Sequence, residues 1–478
     1  MALLNSLSLA LIMSSQRFYG GVITLCLLLS CRASLASVAE PPVVAPTPVT
    51  SGPPPASSGG YLYPVNPAIP NQTDLPTPAA MALPVNGPSL PGDSSTTRKF
   101  YTLTASLREV YDDNVGTSNI NKVSSLETVF SPSVLVDFPT PEGDFSASYT
   151  LDLTYYNNLN NNNNSNSGNG GIANIGYKPQ SIQYDQQVIA QYTHAFSERF
   201  NLNLGEQFRY YYEPSMYEDI GTAYNNGQYV ANVINGTFSA QWTPLFGTTT
   251  TYSNIITRYD NSVVGAEQNN IENTGSQNFS FSVLPKFSVS VGGIADNITY
   301  DAADRGYTTY TGYVGAQWQA LPSLSITGRG GLSYYETTGT GAQSSTSPYA
   351  AMSINWSLGA RSSLSFDYAH EITPSYQIGS NGQVSDRISA NFQYNITTFL
   401  SSHLQTSLTN SNITNQLSST STLNGYTQLQ YFLDTGLTYH YNSYLNFESG
   451  ISLSGVSSNS SIYNYSRDEI YLGVRGTY

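Results

Sequence analysis

Three features of this 478-residue sequence predict an all-β fold, a transmembrane antiparallel up-and-down β-barrel of about 18 strands, with 16 as the alternative. From Thr97 onward, apolar and polar residues alternate with period two. The connections between alternating segments switch between short and long. Beyond the first few dozen residues, no helical pattern exists that could cover an apolar sheet face.

The chain opens differently. Arg17 precedes the apolar run "GVITLCLLLS" (Gly21–Ser30), and small residues follow in "ASLAS" and "VAE". That layout is expected of a secretory signal over residues 1–39, cleaved after Ala36 or Ala39, with Met13 as an alternative start. "LLSC", ending at Cys31, also resembles a lipoprotein cleavage box, which leaves lipidation at Cys31 open. Both cysteines, Cys26 and Cys31, lie in this leader, so the mature chain is expected to have none. Residues 40–97 hold most of the 25 prolines and almost no charge, the composition of an extended or disordered tether. The barrel is expected over residues 98–478.

Composition narrows the function classes. Only 10% of residues are charged, the net charge is -14, and 38 residues are Tyr. A basic footprint for nucleic acid is absent.

Strand by strand, the alternation separates two faces, because successive β side chains point to opposite sides. In the first strand Tyr101, Leu103, Ala105 and Leu107 oppose Thr102, Thr104, Ser106 and Arg108. Next, Phe145, Ala147, Tyr149, Leu151 and Leu153 oppose Ser146, Ser148, Thr150 and Asp152. Ile388, Ala390, Phe392 and Tyr394 oppose Ser389, Asn391 and Gln393, and Leu429, Tyr431, Leu433 and Leu437 oppose Gln428, Gln430, Asp434 and Thr438.

Every second connection is short: "PTPEG", "FSER", "TPLFG", "LPK", "LPS", "GARS", "TTFLSS" and "YNSY". The others read as long polar loops, among them "DDNVGTSNINK", "NNLNNNNNSNSGNGG", "PSMYEDIGTAYNNG", "DNSVVGAEQNNIENTG", "TTGTGAQSSTS" and "TPSYQIGSNGQ". Short and long connections therefore belong at opposite ends of one sheet, with both ends of the barrel segment on the short-turn side. A soluble sheet this large needs a covering layer. Lipid is the cover that remains, and in lipid only a closed barrel satisfies every backbone hydrogen bond. An even strand number, short periplasmic turns, long outer loops and aromatic strand ends fit the bacterial outer membrane.

The last residues, "DEIYLGVRGTY", put Ile470, Leu472, Val474 and Tyr478 on one face. The segment resembles the terminal signal read by the barrel-assembly machinery, with Tyr471, Gly473 and Tyr478 at matching positions and Gly476 where a hydrophobic residue is expected. The stretch "REVYDDNV" (Arg108–Val115) carries Tyr111, Asp112, Asp113 and Asn114 just after the first strand. It resembles a family of β-barrel porins, some encoded beside exopolysaccharide gene clusters. The resemblance implies an outer-membrane barrel with a role in polysaccharide export. Taken without it, Asp112 and Asp113 are an exposed loop start, or at best a weak calcium site.

Catalysis finds little support. His194, His370, His403 and His440 stand on different strands without metal-ligand spacing, and no serine sits in a sharp glycine turn. A barrel phospholipase can assemble Ser and His across neighbouring strands, which spacing alone leaves open. The inward face is richer, with Arg108, Arg209, Arg329, Arg387 and Arg475 against Asp152, Asp185, Asp367, Asp434 and Glu448. These charges either pair and hydrate inside the barrel or set up a transverse field that selects solutes. Tyr156, Tyr211 and Tyr335 are expected to offer stacking surfaces to sugars.

The expected function is a passive outer-membrane channel for small hydrophilic solutes or saccharides, not an enzyme, with no cofactor, no metal and no nucleic-acid partner. The expected partners are outer-membrane lipid, the assembly machinery and the solute. The competing expectation is a surface-structural or binding barrel, closed by its loops, that anchors an envelope or polysaccharide-secretion assembly through the Pro-rich tether. The sequence leaves the solute, the oligomeric state and any inward-folded loop open.

Overall fold

The computed structural model describes residues 100–117, 119, 122–140, 142–157, 181–211, 228–260, 265–266, 268–302, 305–339, 342–375, 380–413, 426–459 and 464–478. The expected signal, Cys31, the tether and the Asn-rich stretch after Asn157 lie outside these residues.

Eighteen strands follow one another along the chain. They are β1 (Tyr101–Asp112), β2 (Ser125–Pro139), β3 (Gly143–Tyr156), β4 (Ile182–Ser197), β5 (Phe200–Tyr211) and β6 (Tyr229–Thr243). Then come β7 (Phe246–Tyr259), β8 (Asn270–Leu284), β9 (Phe287–Tyr300), β10 (Gly306–Leu321), β11 (Leu324–Thr337) and β12 (Ser344–Ser357). The last six are β13 (Ser362–Pro374), β14 (Gly382–Asn395), β15 (Leu400–Ile413), β16 (Tyr426–His440), β17 (Leu445–Ser458) and β18 (Tyr465–Thr477). Each pairs antiparallel with its sequence neighbours, and β1 pairs with β18 from Thr104↔Thr477 to Asp112↔Glu469, so the sheet closes on itself.

Closure removes both sheet edges, and the side-chain period then decides what each face meets. Leu107, Leu153, Val188, Leu204, Val291, Val314, Leu332, Ile388, Leu404, Leu437, Ile451 and Leu472 all stand exposed on the outside. Opposite them, Ser106, Thr150, Gln187, Ser253, Thr311, Ser333, Ser385 and Gln430 point inward and are buried. A soluble protein does not turn its apolar residues out and its polar residues in. All three tryptophans, Trp242, Trp318 and Trp356, sit near the short-turn rim with Phe196, Phe399, Tyr441 and Tyr444, and Tyr111, Tyr155, Tyr184, Tyr310 and Tyr334 form a second ring toward the other end. An apolar band between two aromatic girdles is the outer surface of an outer-membrane barrel, and the protein is one.

The short turns are closed by chemistry visible in the sequence. Thr243 Oγ1 accepts hydrogen bonds from the Leu245 and Phe246 amides at 3.3 and 3.0 Å. Thr397 Oγ1 does the same for Phe399 and Leu400, and Asn442 Oδ1 for Tyr444 and Leu445. Such side chains supply the acceptor that a tight turn takes from its own backbone. In the β12–β13 turn Gly359 has φ +85°, a backbone region that disfavours any side chain.

At the other end the structure corrects several loop assignments. Asn270–Gly275 of "DNSVVGAEQNNIENTG" belong to β8, Ser344–Ser347 of "TTGTGAQSSTS" belong to β12, and Thr373, Pro374, Gly382 and Gln383 of "TPSYQIGSNGQ" belong to β13 and β14. Strands here run 12 to 16 residues, longer than the roughly 9–11 that a tilted strand needs to cross the bilayer. The extra residues pair beyond the apolar band, where polar side chains cost nothing, so composition mistakes them for loop. The β9–β10 connection, between Tyr300 and Gly306, is also short although it lies at this end.

Opposite ends predict opposite labelling. A cysteine at Asp301, in the β9–β10 connection, is expected to react with an impermeant maleimide on intact cells. One at Lys286, in the β8–β9 turn, is expected to react only after the outer membrane is opened. The reverse pattern would invert the orientation.

Candidate functional site

The inner wall changes character along the barrel axis. Toward the short turns its side chains are half-buried: Ser288 and Ser290 on β9, Thr327 and Arg329 on β11, Ser365 and Asp367 on β13, Ser401 and His403 on β15. Toward the long connections nearly every inward side chain on the same strands is buried, including Asp296 and Ile298, Ser333 and Tyr335, Glu371 and Thr373, Thr409 and Ser411. On these strands the wall is thus accessible toward the short turns and covered toward the long connections.

Part of that cover is the end of the β13–β14 pair. β12 stays in register with β11 out to Ser344↔Glu336, but its pairing with β13 stops at Ala350↔His370. Released from β12, the ends of β13 and β14 lean across the inner face of β9, β10 and β11. Ile372 packs in one cluster with Ile298, Tyr300, Tyr307 and Tyr335. Arg305 Nη2 donates to the Ser380 carbonyl at 2.6 Å, and the Tyr300 hydroxyl donates to the Ser375 carbonyl at 3.4 Å. The Arg305 guanidinium also lies 4.1 Å from the Tyr300 ring centroid, a favourable cation–π contact. Thr373, Ser375, Ser380 and Gln383 are fully excluded from solvent.

All ten charged candidates face inward. Arg475 Nη2 meets Glu448 at 2.7 Å across the β17–β18 pair, and Arg387 Nη2 lies 3.6 Å from Glu371 across β13–β14. Asp434 Oδ1 is 2.7 Å from His403 Nε2, and the Tyr471 hydroxyl lies 3.4 Å from the same nitrogen. Arg108 sits over the Tyr471 ring at 5.1 Å and Arg329 over the Tyr313 ring at 5.2 Å. Asp152 and Asp185 are opposite each other in the β3–β4 register, and Arg209 of β5 opposes Gln187, the next inward position of β4. One group, on β16–β18 and β1–β5, gathers Arg108, Arg209 and Arg475 with Asp152, Asp185, Asp434 and Glu448. The other, on β11–β14, holds Arg329 and Arg387 with Asp367. Each group carries both signs, so attraction runs between neighbouring strands more than across the lumen.

The tyrosines expected as sugar platforms are occupied by the protein itself. Tyr335 is fully buried with its ring 5.1 Å from Tyr307, Tyr156 is buried with its hydroxyl donating to Gln183 Oε1 at 3.1 Å, and Tyr211 packs 6.1 Å from Tyr229. These rings were legible as inward-facing but not as packed, because their partners come from other strands.

The cluster Tyr111–Asn114 is a seam. Asp112 is fully buried and receives Arg467 Nη2 at 2.6 Å and Nε at 2.7 Å on one oxygen, with the Asn114 amide at 2.7 Å on the other. Asn114 Nδ2 donates to the Ser466 carbonyl, and the Asp468 amide donates to Asp113 Oδ1 at 2.7 Å. Lys122 lies 3.3 Å from Asp113. The exposed-loop assignment of Asp112 and Asp113 is therefore corrected for Asp112, which ends β1 fully buried, while Asp113 just beyond the strand is half-buried. The two carboxylates are engaged by cations and amides of the chain, and the motif ties the first strand to the last.

At the chain end, Tyr471 and Gly473 face inward, and Tyr478 stands exposed at the rim. Gly473 opposes both Arg108 and Glu448, and a Cβ there would press within 3.2 Å of Arg108. Gly476, which departs from the assembly signal, has room: an added Cβ would meet nothing closer than 3.9 Å. Of the histidines, His194 lies on the outer face between Tyr192 and Phe196, and His370 is also outside with Asp386 at 2.8 Å.

No family model matches the sequence, and no curated protein is matched by it. Among solved structures the chain resembles OpdK of Pseudomonas aeruginosa, crystallised with vanillate, at 11% identity and a TM-score of 0.43 over 79% of this chain and 99% of that one. It also resembles OccAB4 of Acinetobacter baumannii, at 8% and 0.39 over 80% and 99%. The ferric enterobactin receptor PfeA of Pseudomonas aeruginosa gives 8% and 0.40 over 80% and 81%. What places this barrel in the outer membrane is its own surface.

Proposed function

We propose that the barrel is a narrow passive channel for small hydrophilic solutes, saccharides among them. The observation that carries this reading is the largely hydrophilic inner wall, rich in Ser, Thr, Asn and Gln and set with charges of both signs, which on β9, β11, β13 and β15 is accessible toward the short turns. Barrels of this strand number are wide enough to leave an aqueous path once side chains are placed. The inward-leaning β13–β14 end supports a constriction in the outer half. The link to exopolysaccharide clusters implied by "REVYDDNV" extends the reading to polysaccharide export, with assembly by the barrel-assembly machinery.

A second reading, the closed anchoring barrel, is favoured by the burial of the outer-half wall. Current decides between them. In planar bilayers the channel is expected to give discrete single-channel steps with modest selectivity, and Arg329→Glu with Arg387→Glu is expected to move the reversal potential toward cations, because the sign of wall charge sets the local counter-ion concentration. Insertion without current would leave the anchor. Current with unchanged selectivity in the double variant would move the selecting residues elsewhere on the wall.

A further inference from the structure

The sequence scatters Ser401, His440 and Asn446 over three strands, and the barrel brings them together at its short-turn rim. β15 and β16 pair through Leu400↔Tyr439 and Ser401↔Thr438, and β16 and β17 pair through His440↔Asn446. The His440 amide donates to the Phe399 carbonyl at 2.7 Å, which holds the end of β16 against β15. All three side chains lie on the inner face, half-buried, in the accessible half of the wall.

Their hydrogen bonds run in one direction. Asn446 Oδ1 lies 2.9 Å from His440 Nδ1, and Ser401 Oγ lies 3.2 Å from His440 Nε2. An amide oxygen only accepts, so Nδ1 carries the proton and Nε2 offers its lone pair to the serine hydroxyl. A hydroxyl on a histidine whose other nitrogen is oriented by an acceptor is the arrangement of an activated nucleophile. The other three histidines lack it. His403 holds Asp434 and the Tyr471 hydroxyl on the same nitrogen, His370 meets a carboxylate on the lipid side, and His194 lies among aromatic rings.

The geometry points to a hydrolytic site in which Ser401 is the nucleophile, His440 the general base and Asn446 the positioning residue, acting on short acyl esters of water-soluble hydroxyl compounds such as O-acylated saccharides. Ser401 Oγ attacks the ester carbonyl as its proton passes to His440 Nε2. The carbon–oxygen bond to the alcohol breaks, and the alcohol leaves with that proton. Water then attacks the acyl-serine, giving up a proton to His440, and release of the carboxylic acid restores the serine. The register sets Asn395 of β14 opposite Ser401, placing a side-chain amide on the far side of the nucleophile from His440, where an oxyanion needs a donor. Because the three residues face the lumen, the acyl chains of the surrounding bilayer are on the wrong side of the strands. The substrate therefore arrives through water.

The test uses the full chain folded in detergent micelles, with barrel formation checked by heat-modifiable migration. A fluorophosphonate probe is expected to add covalently to the peptide containing Ser401, read by mass spectrometry, and the protein is expected to hydrolyse p-nitrophenyl acetate. Ser401→Ala should abolish both. His440→Ala should slow both by about 10²–10⁴-fold, the usual range for loss of a general base. Asn446→Ala should reduce the rate, and Asn446→Asp, which keeps the acceptor, should restore it. A folded parent that leaves Ser401 unlabelled at saturating probe overturns the proposal, and this measurement needs no variant to fold. Labelling that proceeds equally fast in folded His440→Ala overturns it too.

Discussion

Replacing Arg467 with alanine is expected to destabilise the barrel by about 3 kcal/mol, because it strands a carboxylate that has no access to water. Asp112 is fully buried and takes two of its three hydrogen bonds from that guanidinium. The third, from the Asn114 amide, is local to the first strand and survives the substitution, but Glu469, 3.0 Å from Arg467 Nη2, loses the same partner. The damage should fall on the junction between β1 and β18, where the sheet closes on itself. Arg467→Lys should recover only part, since a single ammonium replaces a fork that offers two donors to one oxygen. Adding Asp112→Asn to Arg467→Ala should return some of the loss by removing the unpaired charge. Denaturant unfolding in lipid bilayers measures each. An Arg467→Ala barrel within about 0.5 kcal/mol of the parent, the scatter of ordinary surface substitutions, would show that the seam does not hold the barrel shut.

Ile388→Arg is expected to cost about 2–4 kcal/mol, the range for a cation on the lipid face near mid-membrane. Ile388 is exposed on the outside of β14 between Tyr368 and Leu408. One residue on, Ser389→Arg should fold with little loss. Ser389 points into the accessible half of the lumen and opposes Asp367, so the new cation meets water and a carboxylate. The contrast between adjacent residues is the measurement, because both variants place the same cation on the same strand. Equal destabilisation would mean that the two faces of β14 do not meet different solvents.

Much of this molecule is local in origin. A two-residue period needs only the chain itself, so the faces of Leu153 and Asp152, or of Leu437 and Asp434, could be read directly, and so could the strand number. Turn closure is equally local: Thr243, Thr397 and Asn442 bond amides two or three residues away. Where local signals ran out, they failed for a definite reason. Ser344–Ser347 look like loop because polar residues at a strand end carry no apolar period, yet their backbone groups still pair with β11.

What only the tertiary structure decided are the meetings between residues far apart in the chain. Asp112 finds Arg467, Ile372 finds Tyr307, and Ser401 finds His440 and Asn446. Alternation says which face a side chain occupies. It says nothing about its height relative to the next strand, and that height is set by the register accumulated around a closed sheet. A buried seam and an inward-leaning strand pair depend on that register, and so does a Ser–His–Asn relay, so none has a signature in any one segment. Sequence by itself determined a barrel with a largely polar interior and an apolar outside. The closed register determined which of its polar residues touch, and with them where its chemistry can lie.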